Sequence, residues 1–207
     1  MTAFIAKGII NILSICRKWF TFLILALLFS CHERRPWVIV IQPLGNFTAA
    51  QAKTVYAGIK QVNANTILLP AIPMPDAAWY AARQRYRADT LIRYLGRRVH
   101  GDTVIIGLTN EDISSTKDNI PDWGIMGLGY CPGNACVAST YRLTKSNMNS
   151  QFYKVALHEL GHTQGLPHCK NKTCFMRDAE GGNPLDEERG FCESCTTYLR
   201  KKGWVVK

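Results

Sequence analysis

Along the first half of the chain, unbroken β-branched runs alternate with helically spaced apolar sets, the pattern of a sheet buried on both faces. The run Trp37 to Leu44 (WVIVIQPL) is continuous and largely apolar, as a buried strand requires, and Gly45-Asn46 closes it. Residues 49–62 (AAQAKTVYAGIKQV) place Val55, Ile59 and Val62 at helical spacing, and Thr66 to Leu69 begins a second strand. After the Pro-rich connector Pro70 to Pro75, the pattern predicts a helix of about 20 residues through Arg97, with Tyr86, Thr90, Ile92 and Leu95 near its apolar side. The strand Thr103 to Leu108 follows. Two further apolar runs, Gly124 to Tyr130 and Ala135 to Arg142, flank a tight Cys-Pro-Gly-Asn-Ala-Cys connection and predict neighbouring strands. Gln151 to Gln164 then predicts a helix with Tyr153, Leu157 and Leu160 turned to the core.

These elements predict an α/β (α+β) fold in one domain, residues 36–207. From about residue 166 onward helical periodicity fades and four of the eight cysteines appear, so 166–207 reads as a small loop-rich subdomain that needs a metal staple. Residues 1–31 read as an export signal. A basic region ends at Arg17-Lys18, and the apolar stretch Trp19 to Ser30 is too short to span a bilayer comfortably. Leu27-Leu28-Phe29-Ser30-Cys31 resembles a bacterial lipobox, with Cys31 as the lipidated residue. An uncleaved anchor is the alternative, and either reading attaches the protein to a membrane in the cell envelope, outside the cytoplasm.

The formal charge of +10 falls to +7 without the leader's Lys7, Arg17 and Lys18. The densest basic stretch spaces Arg83, Arg87, Arg93 and Arg97 like a solvated helix face. With no phosphate-cradling glycine loop or aromatic-interleaved basic repeat beside it, the charge does not indicate nucleic-acid binding. A monomer is expected.

The chemistry concentrates in His158-Glu-Leu-Gly-His-Thr-Gln-Gly-Leu-Pro-His168. His158 and His162 lie four apart on a helix, so both imidazoles project from one face and can ligate one Zn²⁺. Gly165 can end the helix in a left-handed conformation and Pro167 discourages its continuation, bringing His168 back as third ligand. Three neutral histidines leave a position open to water, and Glu159 stands beside that face as the general base. The other histidines, His32 and His100, have no such company and read as surface residues.

Cys169 and Cys174, followed by the Cys192-x-x-Cys195 pair, suit a second, structural tetrahedral zinc, giving two Zn²⁺ per chain. With them, the segment resembles the archaemetzincins, metzincin-clan metallopeptidases with the motif HExxHxxGxxH-C-x4-C-x-M and a following CxxC. Weaker likenesses lie at Arg83-Gln-Arg-Tyr86, Gly107 to Asp112 and Ser139 to Leu143. The resemblance implies a metzincin-like twisted mixed β-sheet with backing and active-site helices. It also implies Met176 beneath the catalytic metal and an extended peptide substrate lying along an edge strand, for which Ala135 to Arg142 is the candidate. Outside the motif, Cys131 and Cys136 are expected to form a disulfide in an exported protein, while zinc thiolates compete with disulfides at the C-terminal four. The leading function is a zinc peptidase, with aminopeptidase activity open. A cell-wall or other non-peptide amide hydrolase and a catalytically silent, zinc-held binding module are the alternatives. Tyr130, Tyr141 and Tyr198 are candidates for a transition-state tyrosine, with no choice among them.

Overall fold

The computed structural model describes residues 37–206, so the leader and Cys31 lie outside the described residues. Strands β1 (Val38–Pro43), β2 (Thr66–Leu68), β5 (Thr103–Thr109), β8 (Gly127–Gly129) and β9 (Ala135–Ser139) form a five-stranded sheet in the order β2-β1-β5-β9-β8. The first four strands in that order run parallel, and β8 is antiparallel to β9. Helix α1 (Ala49–Val62) packs on one face with α3 (Met148–Thr163), and α2 (Ala88–Gly96) covers the other.

Alternate strand residues feed two cores. Ile39, Ile41, Val104, Ile106, Leu108, Cys136 and Ala138 face α1 and α3, while Val40, Ile105, Ala135 and Val137 face α2. Double-sided burial is why these strands read as unbroken apolar runs rather than alternations. Helix α1 matches its expected boundaries because it carries its own start signal, a capping box in which Thr48 accepts from the Gln51 N–H and Gln51 accepts from the Thr48 N–H.

The expected long helix before Arg97 is not formed. In its place stand β3 (Trp79–Tyr80), β4 (Arg85–Arg87) and the nine-residue α2. Gln84 breaks the helix at φ +50°, and Arg85 and Arg87 turn to aspartates. Their strands join β6 (Ile113–Lys117) and β7 (Ile120–Ile125) in a second sheet, β3-β4-β6-β7. Arg85 Nε lies 3.2 Å from Asp112 Oδ2, Arg142 Nη2 lies 2.9 Å from Asp112 Oδ1, and Arg87 Nη1 lies 3.6 Å from Asp122 Oδ1. The basic stretch therefore includes an internal ion-pair cluster, which joins the three upstream segments of family likeness around Asp112.

Two strand assignments also change. Gly124 to Tyr130 is not one strand: Gly124 and Ile125 end β7, and Gly127 to Gly129 form β8 in the other sheet. Ala135 to Arg142 is not an edge. β9 is buried along its whole length between β5 and β8, and the short, half-exposed β8 is the edge. The C-terminal segment ends in α4 (Glu193–Lys201), and Phe191, Leu199, Trp204 and Val206 join the core shared by α1 and α3. Among the described residues no helix is long and apolar enough to cross a membrane.

Candidate active site

Helix α3 carries His158, Glu159 and His162 on its last two turns. It ends as the glycine spacing predicts: Gly165 adopts φ +97°, its N–H donates to the His162 carbonyl at 2.8 Å, and the Leu166 N–H donates to the Gly161 carbonyl at 3.1 Å. This is a Schellman turn, and it reverses the chain so that His168 faces the two helical imidazoles. The ring centroids of His158, His162 and His168 lie 4.6 to 5.4 Å apart.

The tautomers follow from their partners. His158 Nδ1 is 2.6 Å from the Phe175 carbonyl, His162 Nδ1 is 2.7 Å from the Leu166 carbonyl, and His168 Nδ1 is 3.2 Å from Asp178 Oδ2. Carbonyls and carboxylates only accept, so each Nδ1 carries the proton and each Nε2 presents a lone pair. His158 Nε2 and His162 Nε2 are 3.0 Å apart. Two lone pairs facing each other at that distance repel unless a cation lies between them, and imidazole is a favoured zinc ligand. Burial, with the neighbouring His162 in second place, lowers the His158 pKa to about 3, and burial likewise lowers that of His162, so both stay neutral and ready to ligate.

Glu159 is 7 % exposed, and burial raises its pKa to about 8. Its room is made by β8: a Cβ on Gly127 would stand 2.5 Å from Glu159 Oε1, and one on Gly129 would stand 2.6 Å from the Glu159 carbonyl oxygen. Only glycines at alternate positions let this edge strand approach α3 so closely. Met176 is fully buried under the site, and a Cβ on Gly161 would stand 2.5 Å from its Sδ. Gly161, at an unspecified position of the motif, is therefore the contact surface for Met176.

Cys169, Cys174, Cys192 and Cys195 also converge, with all Sγ atoms within 4.8 Å of one another and Cys169 Sγ 3.6 Å from Cys192 Sγ. A tetrahedral zinc thiolate site spaces its sulfurs by roughly 3.8 Å, given a Zn–S bond of about 2.3 Å. Burial raises the Cys174 pKa, and the backbone N–H groups of Met176 and Cys192, 3.5 and 3.3 Å from its Sγ, oppose that rise. The donor set fits zinc. All six described cysteines are unbridged, so the disulfide expected between Cys131 and Cys136 is not present in this structure. Cys136 points from β9 into the core, whereas Cys131 Sγ contacts the Leu166 carbonyl at 3.3 Å.

A cleft of about 670 Å³ runs along the histidines. β7 and β8 form one wall, and the segment from Arg177 to Leu185 forms the other, reaching Trp123 of β7 at Gly181. The sequence reading missed Asp178, Gly127 and Gly129, whose roles depend on contacts distant in sequence. Of the candidate tyrosines, Tyr198 donates its hydroxyl to the Gln164 carbonyl at 3.0 Å, and Tyr130, Tyr141 and Tyr198 are all absent from the cleft lining.

A mixed sheet, an HExxH helix and a reversed third histidine are the arrangement of a zinc metallopeptidase. Known proteins narrow the class. A model of peptidase family M54 matches residues 26–201. Curated archaemetzincins from Nanoarchaeum equitans and Archaeoglobus fulgidus are 31% and 30% identical over 164 and 168 residues, covering 79% and 78% of this chain and 91% and 98% of theirs. The crystal structure of the archaemetzincin from Archaeoglobus fulgidus superposes with a TM-score of 0.66 at 27% identity, covering 77% of this chain and 98% of that one. The one from Methanopyrus kandleri gives 0.68 at 24%, covering 83% and 98%. The chain belongs to peptidase family M54.

Proposed function

We propose that the protein is a membrane-attached peptidase of the cell envelope, in which His158, His162 and His168 hold one catalytic zinc and Glu159 is the general base. The observation that carries this is the trio of Nδ1-donating imidazoles, whose Nε2 lone pairs converge beside a buried glutamate. Zinc, when bound, supplies a Lewis acid that acidifies water and offsets negative charge on a scissile carbonyl. Glu159 takes the proton from the attacking water and gives it to the leaving amine. A carboxylate with a raised affinity for protons in an apolar surrounding is suited to both transfers. The outer edge of β8 offers unpaired backbone N–H and C=O groups to an extended peptide, giving affinity with little demand on side chains. Aminopeptidase action remains within this reading, and product sequencing separates it from internal cleavage.

Cys169, Cys174, Cys192 and Cys195 hold the second zinc, which staples residues 166–207 onto α3. Membrane attachment through lipid on Cys31 rests on the leader's sequence alone, and the chain acts as a monomer. Labelling with a fatty-acid analogue tests the lipid: wild type incorporates it, and Cys31→Ser does not. Cleavage of a peptide mixture by wild type and Glu159→Ala tests the enzyme. Zinc-dependent cuts that vanish in the variant support the reading, and identical products from both proteins overturn the base assignment.

A further inference from the structure

Among the described side chains that line the cleft, one has a buried oxygen with no partner. Glu188 is 3% exposed, and its Oε2 meets no hydrogen-bond donor. The two nearby cations are engaged elsewhere. Lys154 Nζ donates to the backbone carbonyls of Leu185 and Glu188, at 2.5 and 2.7 Å, and Arg177 Nη1 pairs with Glu187 Oε2 at 2.6 Å. Val155 and Leu185, both buried, line the same cleft. A lone carboxyl oxygen among apolar side chains is destabilising unless a donor arrives, so its presence in a cleft points to a ligand that brings one.

Lys154, which holds the Glu188 backbone carbonyl, precedes His158 by four residues on α3, and Glu188 and His158 line the same cleft. A peptide whose backbone lies at the imidazoles can extend a long side chain along that cleft toward Glu188. We infer that Glu188 is a specificity-determining residue, whose carboxylate receives the Lys or Arg side chain of a peptide substrate cut next to that basic residue. This rests on the peptidase reading. Burial holds the Glu188 pKa up at about 7, against the opposing fields of Lys154 and Arg177, and an entering guanidinium or ammonium restores the ionised form. Asn183 and Asp186 fix the segment that carries Leu185 and Glu188 through hydrogen bonds to Gln151 of α3, so the carboxyl is held in place before substrate binds.

The test uses the zinc-loaded full chain with octapeptides that differ at one position, carrying Arg, Lys, norleucine or Gln, and products mapped by mass spectrometry. Wild type is expected to cut beside Arg or Lys with kcat/KM at least about tenfold above norleucine. In Glu188→Gln the ratio falls toward one, and in Glu188→Leu it inverts, with zinc content and circular dichroism confirming the fold. Equal wild-type rates for Arg and norleucine, or an Arg preference that survives in Glu188→Gln, overturn the inference. If wild type cuts none of the peptides, the peptidase reading fails separately. Binding of the same fluorescent peptides to zinc-loaded protein then decides the role of Glu188: discrimination lost in Glu188→Gln upholds it, and equal binding of Arg and norleucine peptides overturns it.

Discussion

Replacing Asp178 with Ala removes the one side chain, among the described residues, that orients an imidazole of the proposed zinc site, because His158 and His162 are held by backbone carbonyls that substitution does not delete. Loss of such a partner lowers metal affinity by about 10- to 100-fold. The geometry puts this case at the lower end. The His168 Nδ1 to Asp178 Oδ2 distance is 3.2 Å, long for a charge-assisted bond, and the side chains are 48% and 53% exposed, so solvent screens the charge. The expected loss is about tenfold, on the order of 1.4 kcal/mol. Asp178→Asn keeps a neutral acceptor and loses less. The backbone N–H of Glu180, with His168 adding its field, holds the Asp178 pKa below the usual carboxylate value. With the folded value depressed, the support is present at neutral pH and disappears only as the pH falls through that depressed value. Competition with a chromophoric chelator near pH 7.5 measures the affinity, with the tetracysteine site saturated beforehand. Zinc held by Asp178→Ala as tightly as by wild type would refute the reasoning.

Gly127→Ala places a Cβ 2.5 Å from Glu159 Oε1, so turnover should fall by about 10- to 100-fold with zinc content unchanged; an active variant refutes the close approach. Gly129→Ala meets the Glu159 backbone instead, and lost stability of about 1 to 3 kcal/mol in urea unfolding is expected. Chelation of the zinc-loaded protein should expose four additional reactive thiols, from Cys169, Cys174, Cys192 and Cys195, and no increment would indicate disulfides there. In zinc-free protein the Glu159 pKa of about 8 exceeds its unfolded value, so its protonated form stabilises at low pH and that contribution is lost as pH rises toward 8. Thermal melts between pH 6.5 and 8 should therefore fall more steeply for wild type than for Glu159→Gln, and parallel curves would contradict the assignment.

Elements that carry their own local signals were legible in the sequence. Helix α1 has its capping box, α3 has its glycine-terminated motif, and β1 and β5 have two-sided apolar runs. What failed was set by distant partners. Arg85 and Arg87 have helix-compatible side chains, and partners distant in sequence, Asp112 just before β6, Thr116 of β6 and Asp122 of β7, draw them into a strand. Strand order is likewise not written in a strand's own residues: β9 looks like any buried run, and its central place comes from pairing with both β5 and β8. The ligand spacing was legible because a helix turn fixes His158 against His162. The supports were not, since Asp178 and the β8 glycines meet the motif only after folding.

The most direct measurement is zinc content and peptide turnover on the same preparations of wild type and Glu159→Gln. The account predicts two zinc ions per chain in both, with turnover lower by about 10² to 10⁴ in the variant. Equal turnover at equal zinc content would contradict it.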